Sequence, residues 1–401
     1  MQIQVVMNKI LFSVIVFSLF FLSLSCNEKS DSAMPKYTLD GDFNTKLFKA
    51  VLNQSAADEN VIISPISVST VTKMILAGSE GNTEQEILSA YGKNTTKSSL
   101  LADSESFIEW LQTRNGQPTI ELSNAFFYDK NNFHPLDGYK QNLIEYFNAT
   151  EFPEDFSDKE AALAKLNGWV SDKTNKRIPK ILENITDDEV MFLVNALYLK
   201  ADWADGFEPD LTQEGDFALE NGATSKVDFM YSDRSYSYYG DDNLEAIALP
   251  YKDNEIAMYF IKSKTRAISD VISTFNFSKF ETIVNNMQSQ RYMAYIPKFT
   301  IEYKNEAVAE ALKEMGIKQA FIDGADLSLM AEVKNIFVTR VIHKTFLTID
   351  EKGTEGAAVT VGGIGVTSLP PTIRFDSPFM IVLADKASNN ILFMGRISNP
   401  K

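Results

Sequence analysis

The stretch TIDEKGTEGAAVTVGGIGVTSLPPTIRF, residues 348–375, combines the composition of a strand with the glycines and prolines of a loop. From Thr354 to Val366 the residues are small or β-branched, proline is absent, and Glu355 is the one charge. Such a composition favours a β-strand. Yet four glycines interrupt it and Pro370–Pro371 closes it, which is typical of a surface loop. The glycines are Gly356, Gly362, Gly363 and Gly365. The rest of the sequence has to explain why a loop carries the sequence of a strand.

The length and composition allow a large folded domain and argue against several classes of partner. The chain has 401 residues, of which 44% are hydrophobic and 11% aromatic. That is enough for one large packed core or two ordinary ones. The formal net charge is −16 and the lysines are scattered. Nucleic acids, anionic lipid surfaces and polyanionic cofactors are therefore not expected to bind.

The first 25 residues have the pattern of a secretory signal. Lys9 precedes an apolar run from Ile10 to Leu24, and the run ends in SLSC, residues 23–26. This run is shorter than the roughly 20 residues that a membrane-spanning helix needs. We therefore predict a signal peptide over residues 1–25, a polar tether over 26–37 and a folded domain over 38–401.

Cys26 is the one cysteine of the chain and lies at the predicted cleavage site. This placement resembles a bacterial lipoprotein signal, in which the cysteine is lipidated and becomes the mature N-terminus, although Ser23 stands where leucine is usual. The resemblance implies a lipid anchor on Cys26. The alternative is an ordinary cleaved signal peptide followed by a free cysteine. In both cases no disulfide can form within the chain, so stability must come from the core.

The remaining sequence predicts an α+β fold without regular βαβ alternation. Residues 60–78, NVIISPISVSTVTKMILAG, indicate a short strand followed by a buried helix, with Ser64–Pro65 at its start. The segment Val190–Trp203 is a nearly continuous apolar run that favours a central strand. Helical patterns dominate early and strand patterns late, which is typical of the α+β class.

The sequence contains no constellation that would support catalysis. Nucleophilic catalysis normally requires a base, most often histidine, beside a serine or cysteine. The chain has two histidines, His134 and His343, and lacks GxSxG, HExxH and CxxC motifs. We therefore expect no enzymatic activity, no metal and no cofactor.

Several separate segments resemble a serpin, and together they cover roughly residues 38–401. The most specific ones lie near the C-terminus. HKTFLTIDEKGTEGAA (343–358) is similar to the strand and hinge before a serpin's reactive loop, and LPPTIRFDSPF (369–379) is similar to the exit of that loop. The other matching segments are NVIISPISV (60–68), NGWVSDKTNKRI (167–178), LVNALYLKADW (193–203), IPKFTIEY (296–303), GIKQAFIDGADLS (316–328) and NILFMGRISNP (390–400).

The resemblance implies three β-sheets, about nine helices and an exposed reactive loop between Glu351 and Pro370. In this family a target protease attacks the loop as a substrate and forms an acyl-enzyme. The cut loop then inserts into the central sheet, drags the protease across and distorts its active site. Such a mechanism accounts for residues 354–366: the loop has the sequence of a strand because it becomes one.

The predicted hinge contains the first loop residues to insert. These are Gly353, Thr354, Glu355, Gly356, Ala357 and Ala358. Inserted side chains must alternate between a buried and an outer face. One face, formed by Thr354, Gly356, Ala358, Thr360 and Gly362, is entirely small, and the single charge lies on the other, so a shift by one residue would bury Glu355. The pattern favours an inhibitory hinge, and a surface loop of no special function is the alternative.

The resemblance places the reactive bond between Thr367 and Ser368, with Val366 preceding it. Lys, Arg, Asp, Phe and Tyr are absent from residues 353–373, so trypsin-like and chymotrypsin-like pockets are not satisfied. The pair Val366–Thr367 suits a shallow pocket for small aliphatic side chains. We therefore expect an elastase- or subtilisin-like serine protease as the target, held in a covalent acyl complex by a monomeric inhibitor.

Two supporting clusters follow from the resemblance. The shutter, a hydrogen-bonded cluster where the central sheet parts, is predicted to contain Ser64, Ser67, Asn195 and His343. The breach, at the top of the sheet, is predicted to contain Trp203, Lys298 and Glu351, the last two as an ion pair. The alternative for His343 is an ordinary buried histidine.

Three functions remain open at this point. The first is a lipid-anchored protease inhibitor of the bacterial cell envelope, on the outer membrane or cell surface, or in the extracellular space if released. The second is a non-inhibitory serpin that acts as a substrate or as a binding or chaperone module, since the glycines of residues 362–365 would slow insertion. The third is an unrelated envelope hydrolase, against which the missing catalytic groups argue. An adduct that survives SDS separates the first from the second, and turnover of any substrate would support the third.

Overall fold

The computed structural model describes residues 40–113, 119–252, 254–265, 267–305, 308–354 and 370–401. These ranges contain nine α-helices and two short 3₁₀ turns, Pro209–Leu211 and Gln319–Phe321. The α-helices are α1 (Asp40–Asn53), α2 (Pro65–Ala77), α3 (Gly81–Tyr91), α4 (Lys97–Thr113), α5 (Asp137–Phe147), α6 (Lys159–Lys173), α7 (Ile268–Thr274), α8 (Phe277–Asn285) and α9 (Val308–Glu314).

Fifteen strands lie in the same ranges, and most of them fall in the second half of the chain. They are β1 (Val61–Ile63), β2 (Thr119–Asp129), β3 (Ala149–Glu154), β4 (Met191–Asp202), β5 (Gln213–Ala218), β6 (Thr224–Gly240), β7 (Leu244–Pro250), β8 (Ile256–Ser263), β9 (Gln288–Pro297), β10 (Phe299–Asn305), β11 (His343–Ile349), β12 (Gly353–Thr354), β13 (Thr372–Arg374), β14 (Phe379–Asp385) and β15 (Ile391–Ile397).

The described strands form three hydrogen-bonded sheets. The largest has the order β1-β15-β14-β8-β7-β6-β9-β13, with β5 added on β6. A second sheet has the order β12-β4-β2-β3, and a third consists of β10 and β11. The predicted α+β class with three sheets and about nine helices is therefore confirmed for the part of the chain that the structure describes.

The core lies between these sheets and α2. Every residue of β14 and β15 is buried, because both strands are covered on both faces and their sequences are almost wholly apolar. Helix α2 contacts both β4 and β15. It begins as predicted: Ser64 is the N-cap, with its side chain accepting from the amide of Ser67, and Pro65 is the first helical residue. The helix is thereby fixed directly behind β4.

Within the described residues, no helix is long and apolar enough to cross a membrane. The same residues hold no group of three or more His, Cys, Asp or Glu side chains that would bind a metal ion.

Candidate functional site

The candidate site is a gap between β4 and β11. Among the described strands, β4 pairs with β2 along its length and β11 pairs with β10. On its other side β4 is paired only at its end, where Gly353 and Thr354 of β12 lie antiparallel to Asp202 and Ala201. The rest of that edge of β4 carries no partner strand among the described residues. Such an edge presents unpaired backbone groups to any chain of suitable sequence.

The two residues of β12 already occupy the upper end of the gap, next to the end of β4. Thr354 is 3% exposed, and its hydroxyl lies 2.8 Å from the hydroxyl of Tyr251. Tyr251 in turn stacks on Trp203, with ring centroids 4.6 Å apart. The indole of Trp203 donates to the carbonyl of Asp350 at 2.9 Å, and its amide donates to the carbonyl of Lys352 at 2.8 Å. Thr354 therefore faces the core, on the side that its place in the alternation predicts.

Gly353 permits this arrangement because of its backbone conformation. Its φ is +146°, which L side chains rarely adopt, and a Cβ would lie 2.2 Å from the carbonyl oxygen of Ala201. A residue with a side chain would push β12 away from β4. Glycine is thus required where the chain turns from β11 into the gap.

Glu351 lies beside this turn, at the breach. Its carboxylate accepts from the Thr212 hydroxyl at 2.8 Å and from Lys298 Nζ at 3.2 Å. Its carbonyl accepts from the amide of Phe207 at 2.7 Å. Burial opposes ionisation of this carboxyl, but the hydrogen bonds from its own amide and Thr212, together with Lys298, lower its pKa below the usual value. The structure thus contains the ion pair between Lys298 and Glu351 that the resemblance to serpins implied, while its role stays a prediction.

Replacing Glu351 with lysine is expected to accelerate polymerisation of the protein several-fold. The change removes the acceptor for Thr212 and sets two ammonium groups together, which would loosen the turn between β11 and β12. Light scattering during mild heating would measure the rate. The double exchange Lys298→Glu with Glu351→Lys restores opposite charges and should recover part of the loss. An unchanged polymerisation rate in Glu351→Lys would reject this role.

Three of the four predicted shutter residues form one hydrogen-bonded group. The amide of Ser64 donates to Nε2 of His343 at 2.9 Å, and the hydroxyl of Ser67 donates to that of Ser64 at 2.9 Å. His343 is the first residue of β11, so this group fixes β11 to the start of α2. Because Nε2 accepts a hydrogen bond, the neutral imidazole carries its proton on Nδ1. Burial lowers the pKa of His343 to about 4.

The fourth residue, Asn195, lies on β4 and has different partners. Its Nδ2 donates to Oδ1 of Asn124 at 2.7 Å, and Nδ2 of Asn124 donates to the carbonyl of Phe147 at 2.7 Å. Oδ1 of Asn195 is buried and accepts no hydrogen bond from any of the residues that the structure describes. A buried acceptor without a partner is costly, of the order of 1–3 kcal/mol. The gap therefore contains an unused acceptor at the height of the shutter.

A cavity of about 280 Å³ occupies the lower part of the gap. One wall is β4 and the residues just before it, and the other is the strap, defined here as residues 336–342, which precedes β11 and belongs to no strand. Helix α2 contributes Val68, Val71 and Ile75 to the lining, and Asn195 and His343 lie at the shutter level. The cavity is thus mainly apolar, with Asn195 and His343 at its upper end and charged side chains at its lower end.

Several predicted residues lie outside the described residues and stay predictions. They are Cys26, the hinge residues Glu355, Gly356, Ala357 and Ala358, and the reactive-bond residues Val366, Thr367 and Ser368.

Some residues of the site were missed in the sequence. Tyr251 and Thr212 are distant in sequence from the loop and follow no pattern that would place them at the breach. The sequence did single out Asn124, because this polar side chain interrupts the apolar positions of TIELSNAFFYD (119–129). Such a residue within a buried strand needs a partner, although its sequence does not say which.

The family model described as serpin (serine protease inhibitor) matches residues 38–400. This chain therefore belongs to the serpin family, whose members are generally protease inhibitors rather than enzymes. It is 30% identical to an alpha-1-antitrypsin-like protein from Tamias sibiricus over 367 residues, which cover 90% of this chain and 87% of that protein.

Two solved structures have the same fold. Thyroxine-binding globulin in complex with thyroxine matches with a TM-score of 0.82 and 26% identity, over 90% of this chain and 98% of the other. Tengpin, a thermophilic serpin in its native state, matches with a TM-score of 0.81 and 28% identity, over 90% and 92% of the two chains. The first of these is named for binding thyroxine, so the shared fold alone does not establish inhibition.

Proposed function

We propose that this protein inhibits serine proteases of the elastase or subtilisin type by acting as a suicide substrate. The protease serine attacks the carbonyl of Thr367, the bond to Ser368 breaks, and the amine of Ser368 leaves. Thr367 is then held as an ester on the protease. The loop then inserts between β4 and β11, continuing from Gly353 and Thr354, which are already paired with β4. The bound protease is carried along before water can hydrolyse the ester.

The observation that carries this proposal is the gap beside β4, whose edge has no partner beyond β12 among the described strands. Because β12 is antiparallel to β4 and follows β11 through a tight turn, further residues of the same chain can extend it without any change of direction. Gly353 lies opposite Asp202 and Thr354 opposite Ala201, so each following loop residue would lie opposite the preceding residue of β4. Continuing that register would set Thr360 opposite Asn195, whose Oδ1 accepts no hydrogen bond within the described part of the chain. A threonine hydroxyl is a suitable donor for it.

The loop composition supports the choice of protease. A small aliphatic residue pair at the scissile bond fits a shallow pocket and offers no charge to a trypsin-like one. The conclusion about the protease class rests on Val366 and Thr367 alone, so the experiment has to compare classes directly.

Incubation with elastase-, subtilisin- and trypsin-like proteases tests the proposal. The products are examined by denaturing gel and intact mass. We expect a band near the sum of the two masses with the first two classes, cleavage after Thr367, and loss of protease activity. Clean cleavage that leaves the protease active would favour the non-inhibitory alternative, which the likeness to thyroxine-binding globulin and the glycines of residues 362–365 support.

We also propose that Cys26 carries a lipid that anchors the protein in a bacterial cell envelope. The support is the position of the one cysteine directly after a signal-like apolar run. Metabolic labelling with a fatty-acid analogue tests it. The wild-type protein should be labelled and partition into detergent, and Cys26→Ser should do neither. Equal labelling of both would contradict the anchor.

A further inference from the structure

A partly buried ion pair, in which the Arg340 side chain is 30% exposed, joins the two walls of the gap at its lower end. Glu189 precedes β4 and its side chain is only 3% exposed, while Arg340 lies in the strap. Arg340 Nε lies 2.6 Å from Glu189 Oε1, and Nη2 donates to Oε2 at 2.7 Å. The pair is therefore a close ion contact with one hydrogen bond, and a hydrogen bond between two charged groups is stronger than one between neutral groups.

Further contacts fix both partners of this pair. The amide of Thr186 donates to Glu189 Oε2 at 2.9 Å, and the hydroxyl of Thr339 donates to Oε1 at 3.3 Å. Arg340 also donates to the carbonyl of Asn184 at 2.7 Å. The carboxylate therefore has donors from the segment before β4 and from the strap. Removing the guanidinium would leave a buried carboxylate with neutral donors only.

The pair lies where an inserted strand would end. Both residues line the lower end of the cavity. If the antiparallel register of β12 and β4 continues down the gap, position 366 of the loop lies opposite Glu189. That position is the last residue of the predicted inserted strand and directly precedes Thr367, after which the loop is expected to be cut. A strand between two others separates them by roughly 9–10 Å, twice the ordinary spacing. A direct side-chain contact across that space obstructs the last step of insertion.

We propose that the Glu189–Arg340 pair is a lower pin, which holds the walls of the gap together in the uncleaved protein and opens when insertion is complete. This proposal rests on the proposed function, because it concerns the same insertion. With Glu351 and β12 at the upper end, the gap is then held at both ends. The lower pin stabilises the uncleaved form but not the inserted form, so Glu189 and Arg340 are positioning residues that set how readily the protein inserts its loop.

Thermal denaturation of two forms of each variant tests the pin. One form is uncleaved, and the other is cut within residues 355–369 by a protease that is not inhibited. In Arg340→Met we expect the midpoint of the uncleaved form to fall by roughly 3–6 °C at a fixed scan rate, and that of the cut form to stay within about 1 °C. Arg340→Lys keeps the charge but not the guanidinium that donates to both Glu189 and Asn184, and it should give a smaller fall.

Arg291→Met serves as a matched control. Arg291 also pairs with a carboxylate: it donates to both oxygens of Asp233, at 2.8 and 3.0 Å, between β9 and β6, which remain paired. Its loss should affect the two forms equally. Equal falls in both forms of Arg340→Met, or no fall in either, would overturn the pin while leaving the proposed function intact.

The wild-type protein separates failure of the pin from failure of the proposed function. If cutting the wild-type loop does not raise its midpoint, the loop does not insert, and the proposed function itself fails. If Arg340→Met does not fold, Glu189→Gln gives the same comparison, because the amide removes the charge of the carboxylate and keeps its shape.

Discussion

Replacing Thr354 with arginine is expected to convert the protein from an inhibitor into a substrate. The number of inhibitor molecules cut for each protease molecule inactivated should rise at least 100-fold. Thr354 is the first loop residue whose side chain enters the core, where it is 3% exposed and lies against the Tyr251 hydroxyl. An arginine there would have to bury its charge without a partner or leave the gap.

The size of this effect follows from competition between insertion and hydrolysis. A 100-fold change in that ratio requires about 2.7 kcal/mol in the barrier to insertion. Removing a charged side chain from water without a partner costs several kcal/mol, even after relaxation. The free-energy cost of burying the arginine therefore exceeds the roughly 2.7 kcal/mol that a 100-fold change requires. Titration of a fixed amount of elastase with the variant measures the stoichiometry directly.

Glu355→Arg is the control for this prediction. By alternation its side chain points to the outer face on insertion, so the same charge should leave the stoichiometry within about twofold, because an exposed charge costs little. If Thr354→Arg inhibits as well as the wild-type protein, residue 354 does not enter the core during inhibition, and the account of the hinge is wrong.

The second large effect is acid destabilisation through His343. Burial lowers the pKa of this imidazole to about 4, whereas an unfolded histidine titrates near 6.5. Above pH 6.5 both states are neutral and His343 has no effect on the pH dependence. Between pH 6.5 and 4 the unfolded state binds a proton and the folded state does not, so stability falls as the pH falls.

The expected loss is about 2 kcal/mol at pH 5 and about 3 kcal/mol at pH 4. Protonation would also remove the acceptor for the Ser64 amide, which fixes β11 to α2. Urea denaturation of the uncleaved protein at pH 7.5 and pH 5.0 measures the first figure. The comparison stops at pH 5 because most carboxylates begin to titrate below it.

His343→Gln is the test variant, and His134→Gln is its matched control. The His343→Gln variant should have a lower free energy of unfolding than the wild-type protein at pH 7.5. Between pH 7.5 and 5.0 that free energy should fall much less than it does in the wild-type protein. The second replaces an exposed histidine and should keep the full loss. A wild-type protein whose urea midpoint is the same at both pH values would show that His343 is not buried neutral.

The sequence predicted the fold class and some contacts of the site, partly from local patterns and partly from the resemblance to serpins. The apolar run at Val190–Trp203 predicted β4, and Ser64–Pro65 predicted the start of α2. The resemblance to serpins predicted that Glu351 would meet Lys298, which it does at 3.2 Å. Alternation in the loop predicted that Thr354 would face the core.

Contacts between distant segments could not be predicted in the same way. Glu189 and Arg340 are 151 residues apart, and each alone has the sequence of an ordinary surface charge. Their pairing depends on how the strap crosses the end of β4. The partner of Asn195 is similarly set by the antiparallel register of β2 and β4, which places Asn124 directly opposite. Neither register nor strap position is encoded by residue type alone.

A crystal structure of the protein after cleavage within residues 355–369 tests the central claim most directly. We expect residues 354–366 to form a full strand between β4 and β11, with Thr360 opposite Asn195 and the contact between Glu189 and Arg340 broken. A cleaved loop that remains outside, with only Gly353 and Thr354 paired to β4, would contradict the account.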